Sequence, residues 1–293
     1  MSNKILITSL GWEPRFLSGL DQTLASELPN QIIVFKPLTF FQQISDVVKS
    51  GLNDKAARYA AECRYYEFNN GDHVETWHTA GDALEGVSES DEIVLDITTM
   101  PRYLIWACLH NFDVRKVKFK CVYFPPASYG EWLSADTGKP QMVFRHSGLA
   151  YPDLPTCLLL FAGFDLSRAQ HFVDFFEPKK IILITQVGAQ LNNDSRCVGQ
   201  LRGGASIHSC KLDAYSNTLG LKDQLVELVK SYLEDYNIVA TTVGPRPSTL
   251  ALYALNRELP SVGLVHANAH QYNENYSSEI NVSAKFESVV DFS

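Results

Sequence analysis

Two short stretches of the chain combine hydroxyl and guanidinium groups at a spacing suited to holding an anion. The first is Asp96-Ile-Thr98-Thr99-Met-Pro-Arg102, and the second, 144 residues later, is Ala240-Thr241-Thr242-Val-Gly-Pro-Arg246. Each follows an apolar run, Ile93-Val-Leu95 or Ile238-Val-Ala240, and each leads into a helical pattern of leucine, alanine and aromatic residues. A strand that turns through two threonines and Pro-Arg into a helix offers backbone N–H groups and the positive end of a helix dipole. Proline suits the first helical turn, where its missing N–H costs nothing. In the first copy the hydroxyls of Thr98 and Thr99 and the helix amides would take phosphate oxygens. Arg102 would pair with a second oxygen, and Asp96 would read a ribose hydroxyl or a base N–H. Thr241, Thr242 and Arg246 form the matching set, with Ala240 in place of the acid. The same residues also suit structural work, Asp96 as a turn or cap residue and Arg102 as a surface charge.

Other landmarks repeat in the same order. Gly11-Trp12-Glu13-Pro-Arg15 ends the first apolar run, and Gly163-Phe-Asp-Leu-Ser-Arg168 ends a similar run 152 residues on. Tyr129 is followed by Ser134 as Tyr272 is followed by Ser277, at an offset of 143. Three landmarks in register indicate that one unit was duplicated. Trp12 is placed to stack on a base, with Glu13 and Arg15 lining the same pocket; Trp12 as core and Glu13 as a first-turn acid is the structural alternative. Tyr129 and Tyr272 suit stacking or hydrogen bonding. His266 and His270 have a spacing that would suit zinc only on a helix, and their Asn-rich surroundings argue against one.

These residues need elements to position them, and the apolar runs supply a pattern. The first half reads as strand 4–10, helix 14–27, strand 31–36, helix 40–62, strand 73–77, helix 79–87, strand 92–97, helix 101–112 and strand 117–124. The second reads as strand 156–162, helix 166–176, strand 180–185, a helix or loop to 201, strand 205–210, helix 218–235, strand 237–242, helix 247–258 and strand 262–266. Alternation of strands and helices predicts an α/β protein of two tandem Rossmann-like units with parallel sheets covered on both faces. The predicted domains are 1–135 and 156–293, joined by a linker over 136–155, with a polar tail after Tyr272. In such sheets ligands bind outside the carboxyl ends of strands where strand order reverses. The loops at Gly11 and Asp96 both lie at carboxyl ends.

The 293 residues carry a formal charge of −8, which argues against broad non-specific nucleic-acid binding. The six cysteines are scattered with no Cys-x-x-Cys pair, the pattern of buried thiols in a reducing cytoplasm. No metal site and no cofactor are expected. Gly-x-Gly-x-x-Gly in the first loops, a P-loop and the hydrolase and zinc-protease signatures are all absent. The N-terminus opens directly on a strand pattern, and no membrane-length apolar stretch follows.

The segment Asp96-x-Thr98-x-x-x-Arg102, at the end of a Rossmann strand, resembles the signature of CARF domains, the CRISPR-associated Rossmann-fold ligand sensors. The loop from Gly11 to Arg15 corresponds to that family's other ligand-facing loop. The resemblance implies binding of a cyclic oligonucleotide or related nucleotide signal, with two such units in one chain. Here Thr99-Met-Pro101 replaces the Gly-Gly-Thr often found inside the motif, and the second copy lacks the acid. With both halves occupied by Rossmann-like units, no effector segment is visible. The expected role is therefore a cytoplasmic sensor of an antiviral system that signals to a protein partner. Two alternatives stay open. One is a phosphodiesterase that cleaves a nucleotide signal, with Arg15 and Arg102 on the phosphate and Glu13 or Asp96 as base. The other is a scaffold subunit of a defence complex.

Overall fold

The computed structural model describes residues 3–38, 42–130, 132, 134–163, 166–187, 200–273, 275 and 277–292. The described chain divides into two units, residues 1–131 with 273–293, and residues 132–272. The first holds β1 (Lys4–Ser9), α1 (Arg15–Glu27), β2 (Gln31–Pro37), α2 (Gln42–Arg58), β3 (Glu62–Phe68), α3 (His73–Ala83), β4 (Glu92–Asp96), α4 (Arg102–Val114), β5 (Phe119–Tyr123) and β6 (Pro126–Tyr129). The second holds β7 (Ser134–Thr137), β8 (Gln141–Met142), β9 (Thr156–Phe161), α5 (Leu166–Phe176), β10 (Lys180–Gln186), β11 (Ser206–Leu212), α6 (Thr218–Lys230), β12 (Asn237–Thr242), α7 (Pro247–Glu258), β13 (Gly263–His266) and β14 (Ala269–Tyr272). The chain then returns to the first unit with β15 (Ser277–Ile280) and β16 (Phe286–Val290).

Each unit is a Rossmann-like α/β layer structure built on six strands. The orders are β16-β5-β4-β1-β2-β3 and, read from the matching end, β8-β13-β12-β9-β10-β11. Five strands of each sheet run parallel, and β16 and β8 close one edge antiparallel. The identical order fits a duplication. Ile5, Leu6 and Ile7 of β1 and Leu158, Leu159 and Leu160 of β9 are buried, as central strands covered on both faces must be. Each such side chain contributes roughly 1.5–3 kcal/mol by leaving water. Leu20 and Leu24 of α1 pack over the first sheet, and Ala169 and Phe172 of α5 over the second.

The halves of the sequence exchange their ends. β7 and β8 follow β6 in the chain, yet β7 pairs with β14 and β8 with β13, in the second unit. β15 and β16 complete the first unit by pairing with β6 and β5. Thus the segment expected as a linker over 136–155 carries the end of β7 and all of β8. The tail expected in the second domain forms strands of the first. Edge pairing joins them: β5 takes β16 and β13 takes β8 as its antiparallel neighbour, each from the other half of the sequence.

The local pattern also differs at β3. The expected helix ends at residue 62 and no element is expected over 63–72, because exposed Glu62, Arg64 and Glu67 interrupt the apolar run of this edge strand. The segment from residue 73, expected as a strand, begins α3 instead, because Asp72 caps it by accepting from Val74 N and Glu75 N at 3.0 and 2.9 Å. Most of the stretch expected as helix or loop up to 201 lies outside the described residues, as do Cys197, Phe164 and Asp165. Cys108, Cys121 and Cys157 are buried free thiols, while Cys63 and Cys210 are half-buried.

Candidate functional site

In the first sheet the strand order reverses between β1 and β4, and the loops leaving both strands meet. Their contact is close. A side chain on Gly11 would run into Thr99, so only glycine fits there. Thr99 Oγ1 donates to the carbonyl of Ser9, the last residue of β1, at 3.2 Å. Asp96 ends β4 and accepts from Thr98 N at 2.8 Å, a short side-chain turn that aims the chain into α4. Thr98 Oγ1 in turn accepts from Phe124 N at 3.1 Å.

Glu13 and Arg15 form a buried ion pair. Arg15 is 0% exposed and Glu13 2%. The guanidinium grips the carboxylate through Nε at 2.6 Å and Nη2 at 3.2 Å, and Nη1 donates to the Phe124 carbonyl at 3.1 Å. Ser277 of β15 donates to Glu13 Oε2 at 2.6 Å. Phe124 is therefore held from both sides, its N–H by Thr98 and its carbonyl by Arg15. Lys285, between β15 and β16, lies over its ring at 5.3 Å. Burial raises the Asp96 carboxyl above its usual range, against the Thr98 hydrogen bonds and the charges of Arg15 and Lys285.

Trp12 and Arg102 are half-buried at the same ends of the strands. Arg102 is the first residue of α4, whose N-cap, Pro101, makes no side-chain cap bond. Pro14 likewise gives α1 none. By contrast α3, behind the outer strand β3, is capped by Asp72. The second unit repeats the distinction: Asn217 caps α6 by accepting from Leu219 N and Gly220 N, and α7 has no side-chain cap. Among the helices whose starts are described, α1, α4 and α7 behind central strands have no side-chain cap, and α3 and α6 behind outer strands have one.

The second loop is built differently. Thr241 is fully buried, and its hydroxyl finds no hydrogen-bond partner among the described residues. Thr242 Oγ1 lies 2.6 Å from Ser248 Oγ and accepts from Gly244 N at 3.1 Å. Arg246 is half-buried and is itself the N-cap of α7, one step earlier than Arg102 stands on α4. Arg168 donates to the Ala267 carbonyl at 2.9 Å. Ala267 directly follows β13 as Phe124 follows β5. Tyr272 is half-buried opposite Ser134, and its hydroxyl accepts from Ala269 N at 3.4 Å. Gly163 sits against the Val243 backbone, so the two loops touch there as they do at Gly11.

A type III CRISPR defence nuclease shares this fold. That DNA nuclease, activated by cyclic oligoadenylate, has a TM-score of 0.56 at 10% identity, over 86% of this chain and 64% of that one. Can2 from Sulfobacillus thermosulfidooxidans, solved with cyclic tetra-adenylate, aligns at 12% identity and TM-score 0.32 over 41% of this chain and 32% of that one. A short-chain dehydrogenase from Oenococcus oeni aligns at 9% identity and TM-score 0.30 over 83% and 80%. At those last two scores neither likeness carries an argument. This chain spans less than two thirds of the nuclease and about a third of Can2. No family model matches the sequence, and no curated protein does.

Among the sequence-selected residues, Trp12, Glu13, Arg15, Asp96, Thr98, Thr99 and Arg102 all lie in one unit at the ends of β1 and β4 and the starts of α1 and α4. Thr241, Thr242, Arg246 and Tyr272 lie in the other. Sequence reasoning did not assign Ser277 or Lys285 to the first group, since nothing local marks a residue more than 260 positions from Glu13 as its partner. A cavity of about 440 Å³ lies elsewhere in the second unit, lined by Val173, Glu177, Lys179, Arg202 and Ala205 where β10 and β11 begin. It is at the opposite ends of the strands from Thr242. Among the described residues no group of three or more His, Cys, Asp or Glu could hold a metal ion. No described helix is long and apolar enough to cross a membrane.

Proposed function

We propose that the protein senses a nucleotide signal, of the cyclic oligonucleotide class, for a prokaryotic antiviral system and relays it to a protein partner. The observation that carries this reading is the choice of capped helices. Asp72 and Asn217 close the outer helices, whereas α1, α4 and α7, behind the central strands, have no side-chain cap. A helix start of that kind beside an arginine is suited to phosphate. The fold likeness to a nuclease activated by cyclic oligoadenylate supports the same ligand class.

On this reading Arg102 pairs with phosphate oxygens at the start of α4, and Trp12 stacks on a base. Arg246 does the corresponding work at α7, with Tyr272 available for stacking. Glu13, Arg15, Asp96, Thr98 and Thr99 shape the loops, since their polar atoms bond within the protein. The same bonding disfavours cleavage. Glu13 already faces a guanidinium and a hydroxyl donor, which is poor placement for a general base.

Thermal-shift and mass-spectrometric profiling against cyclic and linear oligoadenylates tests the proposal. A ligand-dependent rise in Tm that is lost in Arg102→Ala is expected. No shift with any nucleotide would overturn the reading, and recovery of cleaved ligand would replace sensing with turnover.

A further inference from the structure

We propose that Ser277, on the strand returning from the far end of the chain, is a positioning residue for the loop that leaves β1. The proposal rests on the ligand-binding reading of that loop. Residues 277–280 form β15, which pairs with β6 and packs on α1. Ser277 is 3% exposed and donates to the same oxygen of Glu13 that accepts from Arg15 Nε. A carboxylate at this depth needs several donors to remain charged. Arg15 supplies two and Ser277 a third.

The contacts converge on one point. Arg15 holds the Phe124 carbonyl, Thr98 holds its N–H, and Lys285 covers its ring. The loop at residues 11–14, the turn at 96–101 and the returning segment at 277–285 are thus joined through two side-chain networks that share Phe124. Such a chain has no slack: if Ser277 withdraws, the Glu13 carboxylate loses a donor and the loop carrying Trp12 loses one of its anchors. By reciprocity, whatever tightens that loop tightens the returning strand.

The second unit carries a serine at the matching strand position. Ser134 of β7 faces Tyr272 as Ser277 of β15 faces Tyr129. Yet the Ser134 hydroxyl is buried with no hydrogen-bond partner among the described residues. Among the described residues, the serine at this strand position is wired in the first unit, to Glu13.

The test uses the full-length protein and four forms: wild type, Ser277→Ala, Ser277→Thr and Ser134→Ala. Amide exchange at residues 11–16 and 277–280 is measured without ligand, and affinity for cyclic tetra-adenylate by calorimetry. Ser277→Ala should speed exchange in both segments and weaken binding by about tenfold, the worth of one hydrogen bond to a charged group. Ser277→Thr, which keeps the hydroxyl, should restore both, and Ser134→Ala should change neither. Faster exchange confined to 277–280, with residues 11–16 as in wild type, would overturn the proposal. If wild type binds no cyclic oligoadenylate, the sensing reading fails. The exchange measurement still decides whether strand and loop move together.

Discussion

At the end of β4 the first unit buries an acid, and around it gathers Arg15, Lys285, Glu13 and Ser277. At the end of β12 the second unit buries Thr241, with Arg168 holding a backbone carbonyl nearby. The strand order, the glycine contact between loops and the capping of outer helices are the same in both. What differs among the described residues is the strand end itself, Asp96 in the first unit and Ala240 in the second. A buried carboxylate costs several kcal/mol unless donors and cations surround it, so the unit that keeps one must also keep its neutralising partners. Among the described residues, the buried ion pair stands beside the acid that ends β4 and helps to offset the cost of burying it.

The largest break in that comparison comes from Arg15→Met. It leaves Glu13 buried without its cation and strips the Phe124 carbonyl of a donor, at a cost of roughly 3–5 kcal/mol. Arg168→Met removes one donor from Ala267 at a part-buried site, at a cost of about 1 kcal/mol. Urea unfolding with amide exchange read separately in β1 and β9 assigns the loss to each unit. Equal losses would show that the pair in the first unit carries no special burden. Glu13→Gln added to Arg15→Met should recover part of the loss, because the uncompensated charge goes with it.

A smaller and pH-dependent difference comes from the helices behind the outer strands, α3 and α6. His73 opens α3 and stacks on Tyr103 with ring centroids 3.9 Å apart, and Thr218 holds the same place in α6. Burial lowers the His73 pKa from 6.5 to about 4, with the Asp72 carboxylate pulling it back upward. The folded ring is neutral where the unfolded ring takes a proton. Its contribution is therefore complete above pH 6.5 and is lost as pH falls toward about 4, a loss of up to about 3 kcal/mol. Asp96 works in the opposite sense. Its raised pKa means that the cost of its buried charge is relieved as acid protonates it. His73→Phe keeps the stack on Tyr103 and should flatten the acid side of the stability curve in the first unit alone. An unchanged curve would place the acid sensitivity elsewhere.

The order of strands and helices was legible because central strands are apolar throughout and their helices periodic. β3 was not, since it is an edge strand in which exposed Glu62, Arg64 and Glu67 leave no apolar run to mark it. The exchange of ends was not legible either. Tyr129 with Ser134 and Tyr272 with Ser277 repeat within each copy, but Tyr129 lies opposite Ser277 and Tyr272 opposite Ser134. Local spacing is the same whichever copy supplies the partner. At the site, strand ends could be located from sequence, but side-chain bonding could not. Glu13 and Arg15, two residues apart, read equally well as ligand contacts or as a pair, and burial makes them a pair.

The smallest prediction concerns a feature that the two units share. Asp72 and Asn217 each accept two backbone N–H groups at the start of an outer helix. Replacing either by alanine should cost about 1 kcal/mol, the usual worth of such a cap. The aspartate should cost slightly more, because its charge also meets the helix dipole. Unfolding of Asp72→Ala and Asn217→Ala, read in their own units, should therefore give nearly equal losses, and neither change should alter nucleotide affinity. A marked inequality would mean that the units differ in more than the charge at β4. A loss of affinity in either variant would move the ligand toward the outer strands and away from Arg102 and Arg246.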